Sequence, residues 1–300
     1  CIRDSPHPGA RSLSGRGTGL IGIITREIND PFFAELIEVI SNVAKEEGYD
    51  LVLGNAKREP ENALALRDRM LDPRHCDGLL LCGDLRESVA DHTFLDSMGK
   101  DHRLVSVARG SQHLVSNTPS VDIDNPKGTL LALEYLAELG HQRIACMNVG
   151  RVGDLWERLV TYRAFMQERF DGAPEEYVPL TQNSYEGGYT ATKSLLSLQV
   201  PPTAIFAMDD MMAIGAMGAT VDMGWTVPTD LSIVGFDDMQ VGAYVRPAVT
   251  TVHQPMDEIG RKAVELLLNM IEAKEPCDPC LRLVLEPELI VRESCAPPAA

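Results

Sequence analysis

The sequence predicts an α/β fold built from two lobes of similar design arranged in tandem. Short apolar runs alternate along the chain with longer segments whose apolar residues recur at helical spacing. The connections between them are short and rich in Gly, Pro, Asn and Asp. This plan begins at Leu20 and repeats from Gly140, so each half predicts a doubly wound parallel sheet with helices on its faces.

The first half opens on a run of buried type, 20–24, which predicts a strand covered on both faces. Asp30 is the expected N-cap of the following helix, and Pro31 is its first residue. The other elements predicted in this half are strands at 49–53, 78–82 and 104–107, and helices at 60–71, at 87–98 and from about 122–126 to Gly140.

The second half repeats the alternation. Its predicted strands are 143–147, 177–180, 204–207 and 231–235, and its predicted helices lie around 156–165, at 185–198 and at 210–223. A last helix at 256–273 precedes two extended pieces, 281–285 and 288–291, which could return one to each lobe.

The composition is that of a globular protein with ample core, since 44% of the 300 residues are hydrophobic. The net charge of −17 argues against nucleic-acid binding by the bulk of the chain, because an anionic surface repels phosphate. No run approaches the roughly 18 to 20 apolar residues that cross a bilayer, and no secretory apolar region opens the chain. The seven scattered cysteines resemble reduced thiols, so we expect a cytoplasmic protein without membrane contact.

The sequence contains none of the common motifs for catalysis, nucleotides or metals. It lacks a glycine-rich dinucleotide fingerprint, a P-loop, H-E-x-x-H and G-x-S-x-G. Cys277 and Cys280 form a C-x-x-C, but no second pair completes a zinc site, and a proline-punctuated surface loop is the favoured interpretation. His141 follows a predicted helix end, where an imidazole suits unpaired carbonyls. We expect no enzyme activity, no metal and no cofactor.

Candidate ligand-binding residues gather after the predicted strands, at the edge where open α/β sheets bind ligands. Carboxylates, one guanidinium and aromatic rings suit the hydroxyls and apolar faces of a sugar or similar polar molecule. Each Asp could instead be only an N-cap, which we favour for Asp210, whereas Asp237 is favoured as a ligand contact. Phe33 could equally belong to the core. The candidates are Asn29, Asp30, Phe32 and Phe33 after the first strand, then Asp154, Arg158, Asp209, Asp210, Asp237 and Asp238 in the second lobe.

Several ordered segments extend over nearly the whole chain: LIGII at 20–24, NDPFF at 29–33, LGHQRI at 139–144, Arg158 with YRAF at 162–165, PTAIF at 202–206, AIGA at 213–216, VPTDLSIVGFDD at 227–238 and TTVHQP at 250–255. Together they resemble the lactose repressor/galactose repressor (LacI/GalR) family of transcriptional regulators. The resemblance implies a periplasmic-binding-protein-like (type I) architecture: two flavodoxin-like lobes, three crossovers, an effector in the cleft between them, and a homodimer.

The first 19 residues resemble the family's hinge, although in isolation they would be interpreted as a linker. They carry a net charge of +2. By this resemblance Ala10, Arg11, Leu13 and Arg16 contact operator DNA, with Leu13 as the wedge into the minor groove and the arginines near phosphates. The family's amino-terminal helix-turn-helix precedes such a hinge and is not in this sequence, so we expect the chain to be a piece of a longer protein.

The family's effector contacts fall on Asp30, Phe32, Phe33, Arg158, Asn183, Asp209 and Asp237. Asp209 departs from the family's usual Ala-Asn-Asp, because this chain has Met208-Asp209-Asp210. An ionised carboxylate only accepts hydrogen bonds, whereas an amide also donates them. Up to three acids then face one Arg, which favours polyhydroxylated or cationic effectors over acidic ones.

The expected domains are a hinge at 1–19, an amino-terminal lobe of 20–139 with 254–283, a carboxyl-terminal lobe of 140–253 with 284–295, and a tail at 296–300. The predicted function is a ligand-responsive, DNA-binding regulator, a repressor by analogy. The alternative is a periplasmic sugar- or solute-binding protein of a transport system, which would share the fold but should show a signal peptide. An enzyme would need a nucleophile, a metal or a phosphate loop.

Overall fold

In the computed structural model, residues 17–85, 103–110, 118–150, 153–272, 278 and 280–299 are described below. The chain divides into two compact units, Cys1–Ile123 with Pro255–Leu285, and Asp124–Gln254 with Glu286–Ala300. Several predictions lie outside the described residues: the helix at 87–98, the hinge residues Ala10, Arg11, Leu13 and Arg16, and Cys277.

The first unit is a parallel sheet with helices. Its described elements are β1 (Leu20–Thr25), α1 (Pro31–Glu46), β2 (Asp50–Asn55), α2 (Pro60–Met70), β3 (Gly78–Cys82), β4 (Leu104–Val107), β5 (Ser120–Ile123), and later α7 (Met256–Glu272) and β10 (Arg282–Leu285). The sheet has the strand order β10-β5-β4-β3-β1-β2, and every pairing in it is parallel. The order reverses between β1 and β3, which makes that point the switch of a flavodoxin-like sheet.

The second unit repeats this design. Its described elements are α3 (Asn125–Glu138), β6 (Ile144–Cys146), α4 (Gly153–Phe170), α5 (Tyr185–Leu196), β7 (Ala204–Phe206), α6 (Asp210–Asp222), β8 (Ser232–Asp237), β9 (Thr250–His253) and β11 (Glu288–Ile290), with short 3₁₀ helices at Glu175–Tyr177 and Gln240–Ala243. The sheet has the order β11-β9-β8-β7-β6, parallel except for β11, which pairs antiparallel with β9.

Three details differ from the prediction. The strand expected at 177–180 is reduced to one parallel bridge between Asn148 and Leu180, beside the end of β6. The strands β5 and β9 were not predicted. Helix α3 belongs to the second unit, although the predicted boundary placed it in the first lobe. The physical reason is that its apolar face packs on α4 and on β9 of the second sheet.

The strands are apolar because helices cover both of their faces. All residues of β3 and β8 are buried, as are the last five of β1. The final two strands return one to each sheet, as expected, with β10 beside β5 and β11 beside β9. Within the described part of the chain, no helix is both long and apolar enough to span a membrane.

Candidate functional site

Most of the residues predicted to bind a ligand lie near the carboxyl ends of strands, and they occur in both units. In the first unit, Asp30 is the N-cap of α1, and its Oδ1 accepts a hydrogen bond from the Phe32 backbone N–H at 3.1 Å. The rings of Phe32 and Phe33 meet edge to face, with centroids 5.2 Å apart. Both side chains are buried within this unit. The capping role of Asp30 therefore orients the turn that places both rings.

Phe33 packs against the backbone directly after β3. A Cβ atom built on Gly83 would lie 2.5 Å from Cζ of the Phe33 ring, so only glycine leaves room for the ring there. Gly83 also has a positive φ of +83°, a conformation that glycine adopts without strain. The contact places Phe33 at the switch between β1 and β3. The ring is therefore part of the buried core and also lies at the carboxyl edge of the sheet.

Two buried charged residues of the same edge were not among the predicted contacts. Asp84 follows β3 and Arg109 follows β4, and each is 3% exposed. Asp122 of β5 holds the loop after β4, since its Oδ1 accepts from the backbone N–H groups of Arg109 and Gly110 at 2.8 and 3.0 Å. The sequence signal was available, because both follow a buried strand by two residues, as charged candidates do in the second half.

The organising residue of the second unit is Arg158 of α4, which is 1% exposed. Its Nε donates to Asn125 Oδ1 at 3.0 Å and its Nη2 to Asp154 Oδ2 at 2.9 Å. Its Nη1 donates to the carbonyl oxygen of Met208 and, at 3.4 Å, to Asp237 Oδ1. One guanidinium thus joins the start of α3, the start of α4, the loop after β7 and the end of β8.

Asp237 ends β8 in an unusual backbone conformation, with φ of +101°. Its Oδ1 accepts a hydrogen bond from Gln254 Nε2 at 2.6 Å in addition to the contact with Arg158. The neighbouring Asp238 also has positive φ, and its carboxylate binds Arg292 at 2.5 Å and His253 at 2.9 Å. Non-glycine residues in this region are uncommon and gather at functional sites. Four side chains therefore hold the turn after β8, those of Arg158, Gln254, His253 and Arg292.

Of the two acids after β7, the N-cap role predicted for Asp210 belongs to Asp209. Asp209, not Asp210, is the N-cap of α6, because its Oδ1 accepts from the Met212 N–H at 2.8 Å. Our N-cap interpretation of Asp210 is wrong. Its fully buried carboxylate accepts from the Thr251 hydroxyl at 2.7 Å and the Met239 N–H at 2.8 Å. Burial raises the pKa of Asp210 well above its usual value, and the nearby Asp237 charge adds to this effect.

The last predicted contact, Asn183, is half-buried and directly precedes Ser184, the N-cap of α5. His141 does not cap a helix end as predicted. Its ring nitrogens contact Thr203 Oγ1 at 2.9 Å, Ser232 Oγ at 3.0 Å and the carbonyl of Ala296 at 2.9 Å. It fastens the last residues of the chain to the amino ends of β7 and β8, at the opposite edge from Arg158.

The carboxyl edge of the second unit's sheet, where Arg158 and its partners lie, presents mainly hydrogen-bond acceptors; we refer to it as the second-unit edge. Two carboxylates, those of Asp154 and Asp237, neutralise one guanidinium and leave a net negative charge. The Asp154 side chain is 26% exposed, so it is the part of the cluster most open to solvent. An ionised carboxylate only accepts, so this edge suits ligands that present hydroxyl or N–H donors. Among the described residues, no cluster of His, Cys, Asp and Glu is arranged to hold a metal ion.

Known proteins resemble this chain over nearly its whole length. Residues 133–295 match the family model of a periplasmic binding protein-like domain. The HTH-type transcriptional repressor PurR of Klebsiella pneumoniae (strain 342) is 34% identical, over 97% of this chain and 84% of that protein. This chain belongs to the LacI/GalR family of transcriptional regulators. The HTH-type transcriptional regulator MalR of Clostridium butyricum is 31% identical over 98% of the chain and 88% of that protein.

Solved structures of the LacI/GalR family share the fold. A LacI family transcriptional regulator from Enterococcus faecium with bound ribose has a TM-score of 0.76 at 27% identity, covering 93% of this chain and 99% of that one. The complex of the transcriptional regulator CelR with cellobiose has a TM-score of 0.77 at 28% identity, covering 97% and 92%. The chain is therefore the ligand-responsive core of a transcriptional regulator, and not an enzyme or a binding protein of a transport system.

Proposed function

We propose that this chain binds a neutral, hydroxyl-rich small molecule, a sugar, at the carboxyl edge of the second unit. The observation that carries the proposal is the state of Arg158. Its guanidinium is buried and already bound to Asn125, Asp154, Met208 and Asp237, so it organises acceptors and is not available as an anion clamp. Sugar hydroxyls supply the donors that such an edge lacks.

The ligand contacts proposed for the second unit are Asn183, Asp209 and Asp237. Arg158 belongs to the same site, and it acts through the carboxylates of Asp154 and Asp237 that it holds. Those proposed for the first unit are Asp30, Phe32 and Phe33. Aromatic rings suit the apolar faces of a sugar. Two solved relatives are complexes with ribose and with cellobiose, which supports this ligand class.

The second part of the proposal concerns DNA. The chain acts as a repressor in the cytoplasm, forms a homodimer, and reaches operator DNA through Ala10, Arg11, Leu13 and Arg16 and a DNA-binding domain ahead of them. The DNA-binding role is supported by relatives that are named HTH-type transcriptional repressors. This chain aligns with 84% of the length of one of them, PurR of Klebsiella pneumoniae (strain 342). Ligand and DNA then influence one another reciprocally, because each binds two conformations with different affinity.

A thermal-shift and calorimetric panel tests the ligand class. We expect at least one of ribose, glucose, galactose and cellobiose to raise the melting temperature, while glucose 6-phosphate and gluconate do not, because the site carries a net negative charge. Asp237→Ala should abolish the shift, and Glu176→Ala, an exposed acid of the same unit, should keep it. Binding of the anionic sugars in preference to the neutral ones would refute the proposal.

A further inference from the structure

A buried carboxylate grips the chain just before the first strand. Asp77 lies directly before β3 and is 8% exposed. Its Oδ1 accepts from the Thr18 backbone N–H at 2.7 Å and from the Thr18 hydroxyl at 3.0 Å, and its Oδ2 accepts from the Gly19 N–H at 2.8 Å. Hydrogen bonds to a charged acceptor are about twice as strong as neutral ones. Three such bonds, donated by two consecutive residues, converge on this one carboxylate.

The path of the chain at this point is equally restricted. Gly17 has a φ of +76°, and a Cβ atom there would lie 2.7 Å from Asp77 Oδ2. The backbone therefore passes directly over the carboxylate, where no larger residue fits. Backbone bonds on both sides complete the hold, from the Asp50 N–H to the Gly19 carbonyl at 3.0 Å and from the Asp77 N–H to the Leu20 carbonyl at 2.8 Å.

The loop that carries Asp77 is itself fixed. Arg103 Nη2 donates to the Leu71 carbonyl at 3.1 Å, and its Nη1 contacts the Asp77 carbonyl at 3.4 Å. The opposite end of β3 leads to Gly83, against which Phe33 packs. Asp77 and Gly83 flank β3, so at about 3.3 Å per residue these two residues are roughly 20 Å apart. One strand thus joins the carboxylate that holds residues 17–19 to the ring proposed to contact the ligand.

We propose that Asp77 is a positioning residue: by holding residues 17–19 it fixes the point at which the segment 10–16 joins the first unit, and β3 links this anchor to the Phe33 edge. The inference rests on the proposed function in one respect, namely that this segment is the part that touches operator DNA. Because the anchor is a carboxylate with two backbone donors, a neutral amide of the same size cannot replace it. Asn offers one acceptor oxygen, and its NH₂ group would face a donor.

Limited proteolysis with trypsin tests the anchor without effector or DNA. Cleavage after Arg16 requires residues 17–19 to leave the Asp77 carboxylate, so its rate reports the local opening of this contact. Cleavage after Arg11 serves as the internal reference. We expect Asp77→Asn to raise the ratio of Arg16 to Arg11 cleavage about tenfold or more. Asp72→Asn, in the same loop but bonded to Arg74, is the matched control and should leave the ratio unchanged.

Further variants make the outcome decisive. If Asp77→Asn does not fold, Thr18→Val replaces it, because it removes only the hydroxyl bond to Asp77 and should raise the ratio about threefold. Gly83→Ala displaces the Phe33 ring and should also change the ratio if β3 links the two ends. An unchanged ratio in the Asp77 or Thr18 variant overturns the anchor, and an unchanged ratio in Gly83→Ala overturns the link. A chain that binds no sugar would fail the proposed function while leaving this result intact.

Discussion

The guanidinium of Arg158 lies over the ring of Phe236, with its carbon 3.6 Å from the ring centroid. Both side chains are fully buried, and Phe236 directly precedes Asp237. A cation over an aromatic face is attracted to it most strongly when both are shielded from water. The ring therefore holds the guanidinium from one side, while four oxygen atoms accept hydrogen bonds from its N–H groups. We infer that Arg158 sets the geometry of the whole second-unit edge.

Replacing Arg158 should destabilise the second unit strongly. Arg158→Ala leaves two carboxylates buried or half-buried without their cation, which costs about 3–5 kcal/mol of unfolding free energy. Arg158→Lys should recover only part of the loss, because an ammonium has no planar fork to reach four partners. Chemical denaturation followed by circular dichroism measures the effect. Arg163→Ala, in the same helix but in an exposed pair with Glu175, is the control and should lose much less. Equal losses would remove Arg158 from its organising role.

Gly83 and Phe33 should be energetically coupled. Gly83→Ala forces a Cβ into the Phe33 ring and strains a positive φ, so we expect it to lower the free energy of unfolding by about 1–3 kcal/mol. In a Phe33→Ala background the steric part of this cost disappears and only the backbone part remains. A double-mutant cycle by denaturation isolates the difference. Simple additivity of the two substitutions would contradict the contact.

Asp209 allows the capping role and the ligand role to be separated. Asp209→Asn keeps the cap on α6, since Asn caps as well as Asp, and stability should hardly change. Asp209→Ala should cost about 0.5–2 kcal/mol. Ligand selectivity should respond to the Asn variant, because the amide adds a donor and removes a charge. Calorimetry with the sugar panel and the two anionic sugars would measure it, and a gain for the anionic sugars is expected.

The sequence carried most of the fold because buried parallel strands have a strong local signature. The runs at 20–24, 78–82 and 104–107 contain little except apolar and β-branched residues, and all three are strands. The two missed strands contain polar residues with tertiary roles. Asp122 in β5 holds the loop after β4, and Thr251 in β9 donates to Asp210. Such contacts between distant residues leave no periodicity in the local sequence.

The positions of several candidate residues could be predicted from the sequence, but their hydrogen-bond partners could not. The carboxyl ends of strands identified Arg158 and Asp237, which the structure brings together at 3.4 Å. Nothing local distinguished the N-cap Asp209 from the buried Asp210 beside it, because the difference depends on partners 29 and 41 residues away. Asp77 carried no signal at all, since its donors lie 58 and 59 residues earlier.

His141 should make stability depend on pH. Burial lowers the pKa of this imidazole below its ordinary value of 6.5, and the bond to the Ala296 carbonyl opposes this only in part. The unfolded chain therefore binds a proton at a higher pH than the folded chain. His141 contributes its full stability above pH 6.5, and the contribution is lost as the pH falls from there through the lowered folded pKa. Denaturation of the wild type and of His141→Gln between pH 5 and 8 checks this, and the difference between them should shrink on acidification. A constant difference would show that the ring does not titrate.

Asp237 offers the sharpest test of the ligand site, because its backbone and its charge can be varied separately. Its φ of +101° is tolerated best by Gly, and Asn is more at ease than most side chains at positive φ. Asp237→Asn should therefore keep the turn after β8, whereas Asp237→Ala adds backbone strain to the loss of the carboxylate. The Asn variant retains one acceptor oxygen for Gln254 but removes the charge that faces Arg158. We expect it to fold with a melting temperature closer to the wild type than that of the Ala variant, while sugar-induced stabilisation is lost in both.

If the carboxylate of Asp237 served only to balance Arg158, the Asn variant would lose stability and still bind sugar with unchanged affinity. Paired melting curves, with and without a sugar that stabilises the wild type, distinguish these outcomes because strain lowers both curves equally and a lost ligand contact abolishes the gap between them.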